Sequence, residues 1–296
     1  MNRAMRWLRE HLVLILGLLV LAYTFVPIAV VILMSFNQPK SRLVYRFDSF
    51  TLQNWLHPCA DPSMCHAVVK SIEIGLLATI AATILGSMMA FALVRHDFSG
   101  RSGMNLVIFL PMASPEIVMG SSLLALFVAA GLGGQLGFRT ILVAHIMFCI
   151  SFVVVTVRAR LAGLSDTLEQ AAMDLYANPR QTFWRVTFPL AFPGILGAAL
   201  LSFSLSFDDF IITNLNAGTT VTFPMYVWGV AQRGVPMQVN VVGTVMFLIS
   251  VLIVVGGELN ARRRRRALEG DRPARRRPAP EPRTEAESLV IAGPRS

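Results

Sequence analysis

The sequence is poor in charge, in lysine and in cysteine, and it lacks the short motifs of a self-sufficient enzyme. Only 15% of its 296 residues are Asp, Glu, Lys or Arg, against about 25% in a soluble domain, which excludes a water-soluble globular enzyme. Lysine occurs only at Lys40 and Lys70, and neither closes a GxxxxGK[ST] loop. Nothing here cradles nucleotide phosphates in that way, so the chain is not expected to hydrolyse ATP alone. HExxH, CxxC, GxSxG and an EF-hand loop are missing too, and with them the zinc, redox, serine-hydrolase and calcium chemistries they mark. No catalytic residue, cofactor or metal is expected in this chain.

What the sequence does have is apolar length: 54% of it is apolar. A hydrocarbon core of about 30 Å takes about 20 residues of helix. Six segments qualify: 12–34, 71–94, 105–130, 140–157, 194–212 and 239–257. The first has no small-residue cleavage site and reads as a retained transmembrane helix rather than a signal peptide. With the N-terminus inside, the inner segments hold Arg3, Arg6, Arg9, Arg95, Arg101, Arg158, Arg160, Arg180, Arg185 and 11 tail arginines. The outer segments hold only Lys40, Arg42, Arg46, Lys70, Arg139 and Arg233, so both termini are placed in the cytoplasm. The net charge of +9 follows from this bias, and no nucleic-acid partner is expected. The reading divides the chain into a cytoplasmic segment 1–11, a six-helix domain 12–257 and an Arg/Pro-rich tail 258–296. The tail has too few large apolar residues to bury a core and is expected to be disordered; its Arg262 to Arg266 run suits anionic headgroups.

The inner loop 158–192 is far longer than a bundle connection needs. Asp166 with Glu169 fits an N-cap and its acidic partner, and Leu168, Ala171, Ala172, Leu175 and Tyr176 follow on one helical face. Asn178-Pro179 stops that helix and starts a second, carrying Phe183, Trp184 and Val186, which ends near Pro189 and Pro193. Such a helix lies on lipid or docks a cytoplasmic partner, and the pattern does not choose.

The run EQAAMDLYANPRQTFWRVTFPLAFPG at 169–194 resembles the EAA loop of binding-protein-dependent ABC importer permeases. Pro-Glu-Ile-Val-Met at 115–119, the stretch 145–158 with Phe-Val-Val-Val-Thr inside it, and Leu-Ser-Phe-Asp-Asp at 205–209 are similar to the spermidine/putrescine subfamily. The likeness covers 12–257. It implies an all-α membrane protein with six transmembrane helices, the type I ABC importer permease (MetI-like) fold, in a bacterial cytoplasmic membrane. It also implies a second permease subunit, two copies of an ABC ATPase that binds ATP and Mg, and an extracytoplasmic substrate-binding protein. Coupling to the ATPase falls, by the resemblance, to Glu169, Gln170, Ala171, Ala172, Asp174, Leu175, Tyr176 and Pro189. Gln170 stands where the family has Glu, and Tyr176 where it has Gly.

Carboxylates at membrane depth cost about 2.5 to 3.5 kcal/mol each on insertion scales, so they face a partner or an aqueous path. Asp208, Asp209, Glu116 and Glu73 are the candidates for a pathway that attracts a compact polycation. The alternatives are an ion pair of Asp208 with a partner arginine, and Glu116 capping a helix broken by Pro111 and Pro115. Neighbours on a helix differ by about 100°, so one of Asp208 and Asp209 is expected to face the lumen. Tyr226 and Trp228 either stack on alkylammonium groups or anchor at the interface. Cys59 and Cys65 share the first outer loop and are expected to form a disulfide; His57 and His66 beside them are read as solvated rather than metal-binding. Cys149 reads as packing, and His145 as an interhelical hydrogen-bond donor. Competing readings are an importer for another small organic solute or Fe(III), an ion-coupled carrier, and a membrane enzyme using Glu116, Asp208 and His145.

Overall fold

Proline and polar breaks set where the helices begin and end in the computed structural model, which describes residues 3–41, 46–165 and 167–270. Helix α1 (Arg3–Ser35) is apolar on all sides from Leu12 onward, and no residue of its most apolar window within His11–Ser35 is buried, as for a helix facing lipid. After it the chain turns back through a bridge between Asn37 and Phe50. The Phe36 ring lies 5.6 Å from Phe50 and 5.4 Å from Trp55; Trp55 sits in the short α2 (Gln53–Leu56).

Helix α3 (Pro62–Arg95) starts nine residues before the apolar segment 71–94, because Asp61 accepts from the Ser63 amide at 2.9 Å and Pro62 occupies the first turn. Two helices follow, α4 (Arg101–Ala113) and α5 (Glu116–Ala129). They were expected as one span, 105–130, but are bent by 109°. Ser114 precedes a proline and is extended at ψ 138, because the pyrrolidine ring disfavours the helical region for its neighbour. Pro111 stays inside α4.

Helix α6 (Phe138–Ala162) is unbroken. The loop after it carries α7 (Thr167–Asp174) and α8 (Pro179–Thr182), then a π-helical turn (Phe183–Thr187) that leads into α9 (Phe188–Asp208). The π turn had no signal in the sequence. Helix α9 stops at Asp208 instead of running on to Ile212, and α10 (Ile211–Asn216) begins after a two-residue break. Then come α11 (Phe223–Ala231) and α12 (Met237–Gly270).

Among the described residues five helices are long and apolar enough to cross a membrane, or up to six if the bent pair is one span. One boundary needs correcting: α12 stays helical to Gly270, where structure was expected to end at 257. Arg, Ala, Leu and Glu dominate 258–270 and are good helix formers even without a core to pack on. The rest of the expected tail, 271–296, lies outside the described residues, as does Asp166. The chain divides after Val242. The core described below belongs to the first unit; the second, from Gly243, holds the remainder of α12.

Helices α3, α6 and α9 form that core, with Ala82, Ala90, Ala144 and Ala198 fully buried among Val153, Val154, Val157 and Leu161. Lipid tails are as apolar as leucine, so helices hold together in a membrane by close backbone approach at small residues. Gly86 marks the closest point: a Cβ there would lie 2.7 Å from Val153 Cγ1. Gly86→Leu is therefore expected to overpack the α3–α6 contact, costing about 1–3 kcal/mol and lowering the Tm of the detergent-purified protein. An unchanged Tm would show that the two helices separate freely there.

Candidate functional site

The break between α9 and α10 separates two adjacent carboxylates. Asp209 adopts an extended conformation, and its Oδ2 accepts from the Thr213 amide at 2.7 Å and the Thr213 hydroxyl at 2.8 Å. It thereby satisfies amides in the first turn of α10 that have no partner within the helix. His145 on α6 approaches from the other side, with Nε2 at 2.8 Å from Thr213 Oγ1 and 3.3 Å from Asp209 Oδ2. Because the Thr213 hydroxyl gives its proton to Asp209, Nε2–H is the donor toward this pair. Nδ1 meets Ser206 Oγ at 2.6 Å. The Asp209 side chain is 3% exposed, so this network joins α6, α9 and α10 inside the protein. Asp208, one residue earlier, is exposed.

Asp208, Asp209 and Glu116 line one cavity of about 740 Å³, together with Phe148, Phe207, Phe210, Phe223 and Trp228. Phe210 and Trp228 face one another with ring centroids 5.2 Å apart. Glu116 is the first residue of α5, where a negative charge complements the positive end of the helix dipole. The cavity thus combines carboxylates, which pair with ammonium groups, with aromatic faces, which attract cations and cover alkyl chains. His145 is absent from its walls and is engaged on both ring nitrogens, by Ser206 at Nδ1 and by Thr213 and Asp209 at Nε2. Among the described residues no group of three or more His, Cys, Asp and Glu side chains is placed to hold a metal ion.

The other predicted residues lie elsewhere. Glu73 pairs with Lys70 at 2.7 Å, and that ammonium also sits 5.5 Å from the Phe138 ring centre, away from the cavity. Cys59 and Cys65 are joined by a disulfide with Cα atoms 5.5 Å apart. Tyr226 is buried rather than interfacial, donating its hydroxyl to Asp61 Oδ2 at 2.6 Å; of the two aromatic candidates only Trp228 faces the cavity. The Ser63 hydroxyl and then the Tyr226 phenol hold the Asp61 carboxyl below its ordinary range. A depressed carboxyl contributes stability above its unfolded pKa, about 3.9, and loses it as pH falls through the folded value. The Tm difference between wild type and Tyr226→Phe is therefore expected in full at pH 7 and should shrink as the pH falls below about 3.9 and through the lowered folded value. A difference that does not shrink would assign the effect to packing of the ring.

In the 158–192 loop, the expected cap pairing of Glu169 with Asp166 lies outside the described residues, and Glu169 is held by more distant groups. Its Oε1 accepts from Arg95 Nη2 at 2.6 Å and from the Thr187 hydroxyl at 2.7 Å, because α7 turns that edge toward the end of α3. The stripe read from the sequence faces outward: Leu168 is 49%, Leu175 81% and Tyr176 97% exposed, with Ala171 exposed and Ala172 half-buried. Gln170, Asp174 and Pro189 are exposed too. Tyr176 has φ 63, the left-handed region that ends many helices and favours glycine. Its amide donates to Met173 O at 2.9 Å and that of Ala177 to Ala172 O at 3.1 Å, closing the last turn. The departure from glycine therefore keeps the glycine's conformation and adds an exposed ring. Asn178 and Gln181 cap α8 reciprocally, at 2.8 and 3.1 Å, as the Asn178-Pro179 pair foretold.

Comparison with known proteins agrees with this architecture. Residues 82–266 match the model of the binding-protein-dependent transport system inner membrane component family. The chain is 34% identical over 246 residues to the spermidine/putrescine transport system permease protein PotC of Haemophilus influenzae, covering 82% of this chain and 94% of that one. It is 34% identical over 268 residues to the putrescine transport system permease protein PotI of Escherichia coli, covering 88% and 95%. Among solved structures, a bacterial ABC transporter involved in the import of the acidic polysaccharide alginate superposes with a TM-score of 0.59 at 18% identity, covering 87% of this chain and 98% of that one. An amino acid ABC transporter does so with a TM-score of 0.53 at 13% identity, covering 74% and 100%; both likenesses concern the fold. With its family model matched across more than half the chain and its helices arranged as in type I importers, this protein belongs to the binding-protein-dependent transport system inner membrane components, as a multi-pass permease subunit of an ABC transporter.

Proposed function

We propose that this subunit forms half of the pore of an ATP-driven importer of polyamines, spermidine or putrescine. The observation that carries the reading is the cavity in which Asp208 and Glu116 meet the Phe210–Trp228 pair. A polyamine alternates ammonium groups with short alkyl links, and such a wall offers a partner to each. The relatives named above for spermidine and putrescine support the same class. In this reading a second permease subunit completes the passage, an extracytoplasmic binding protein delivers the solute, and two ABC ATPases bind ATP and Mg. The exposed tip formed by Leu168, Ala171, Leu175 and Tyr176, with the half-buried Ala172 beside it, is the ATPase-coupling surface, with Gln170, Asp174 and Pro189 at its margin.

The test is reconstitution of the chain in liposomes with a partner ATPase, a second permease and a binding protein. ATP-dependent uptake of labelled putrescine or spermidine is expected. Uptake by this chain alone, driven by an ion gradient, would instead make it a secondary carrier. ATP-driven uptake of Fe(III) or another organic solute, without polyamine, would keep the permease and overturn its substrate.

Both termini are placed in the cytoplasm by the arginine bias, so the Cys59–Cys65 bridge faces outward. In intact cells an impermeant maleimide is then expected to label nothing until a reductant is added. Immediate labelling of Cys59 and Cys65 would remove the bridge, and failure to label after reduction would reverse the orientation.

A further inference from the structure

We propose that Glu169 is the positioning residue that makes the docking helix and the pore helices move as one body, by clamping Arg95 and Thr187 together. This rests on the ATP-driven importer reading above. Helix α7 is eight residues long and none of its residues is buried. A helix this short, without an apolar face packed on its own chain, has little to hold its orientation, and loop residues flank it on both sides. What fixes it is polar. A single oxygen, Glu169 Oε1, takes the Arg95 guanidinium at 2.6 Å and the Thr187 hydroxyl at 2.7 Å.

The two donors sit at telling places. Arg95 is the last residue of α3, and Thr187 is a buried residue closing the π turn from which α9 springs. Phe91 on α3 meets Phe183 of the same turn edge to face at 5.3 Å, so the end of α3 and the root of α9 are already in contact. Glu169 adds α7 to that joint. The Arg95 and Glu169 side chains are 23% and 21% exposed, sheltered enough for the pair to resist the screening that weakens surface ion pairs. A displacement of α7 is thus delivered to the root of α9, whose far end is Asp208 in the cavity. Without the clamp, α7 is free to follow a moving ATPase while α9 stays in place, and hydrolysis then proceeds without transport.

The experiment uses the assembled transporter in proteoliposomes, measuring solute carried and ATP hydrolysed in the same preparation, beside the yield of complex. Glu169→Gln keeps the size of the side chain and removes its charge. It is expected to assemble at wild-type yield and to raise the ATP hydrolysed per solute carried about tenfold, within the range of ordinary coupling energies. Arg95→Gln is expected to match it, and the double variant to be no worse than either, because the groups act as one unit. Thr187→Val removes one donor and leaves the ion pair, so about a threefold rise is expected. Glu169→Gln and Thr187→Val both working at the wild-type ratio overturn the proposal. Loss of assembled complex in both also overturns it, assigning the cluster to stability alone. A wild-type complex with no ATP-driven uptake overturns the importer reading, and the clamp falls with it.

Discussion

Asp208→Asn and Glu116→Gln are each expected to lower polyamine uptake about ten- to a hundredfold while the assembled complex is recovered at wild-type yield. The magnitude follows from the loss of one charge-assisted contact, about 1.5–3 kcal/mol, at a subsaturating solute concentration, where each 1.4 kcal/mol is about a factor of ten. The unchanged yield follows from the structure. Neither carboxylate forms an ion pair among the described residues, and both line an open cavity. A structural ion pair with the second permease predicts the opposite pattern: loss of complex, since removing one member of a buried pair costs about 3–5 kcal/mol. Full uptake at full yield in both variants would mean that the solute is not a polycation. Asp209→Asn differs from its neighbour. Its Oδ2 accepts three donors, an amide has only one oxygen to offer them, and the expected loss is in yield.

Ala172→Arg is expected to abolish solute-stimulated ATP hydrolysis. Ala172 is half-buried beside the exposed tip of Leu175 and Tyr176, so an arginine there places a long charged side chain at the edge of the proposed ATPase contact. Burying that charge without a partner costs about 3–5 kcal/mol, enough to separate the subunits at ordinary concentrations. The purified variant should retain the helical content and disulfide of the wild type, because no residue of α7 belongs to the core. Stimulated hydrolysis at the wild-type rate would show that the helix lies on lipid.

The spans were legible because membrane thickness demands a length of apolar helix that few other structures need, and α1, α3 and α6 contain the segments read for them. The 109° bend was less so. Pro111 and Pro115 look alike in the sequence, yet one is absorbed within α4 and the other ends it. The consecutive carboxylates announced a site, but one of them alone was expected in the lumen and both line the cavity, because a break in the helix and not a 100° helical step separates them. Their surroundings were not legible, since His145 lies 61 positions from Ser206 and 68 from Thr213, and no local period links residues so far apart. Glu169 shows the same limit. Its spacing from Asp166 pointed only to a cap, and the guanidinium it meets lies 74 positions away, where no local pattern reaches. At Tyr176 the sequence showed a departure from glycine, while only the backbone shows that the left-handed turn is kept.

The two-residue break after α9 bears on how such a transporter can diversify. In the proposed pathway, acid for the passage and acid for the frame stand side by side, and the break would keep their duties apart. Changes at 208 alter what the passage holds while leaving the frame as it was; changes at 209 disturb the joint of three helices before any cargo arrives. Cargo preference is therefore open to drift one residue at a time, beside a neighbour that selection for folding alone would hold still.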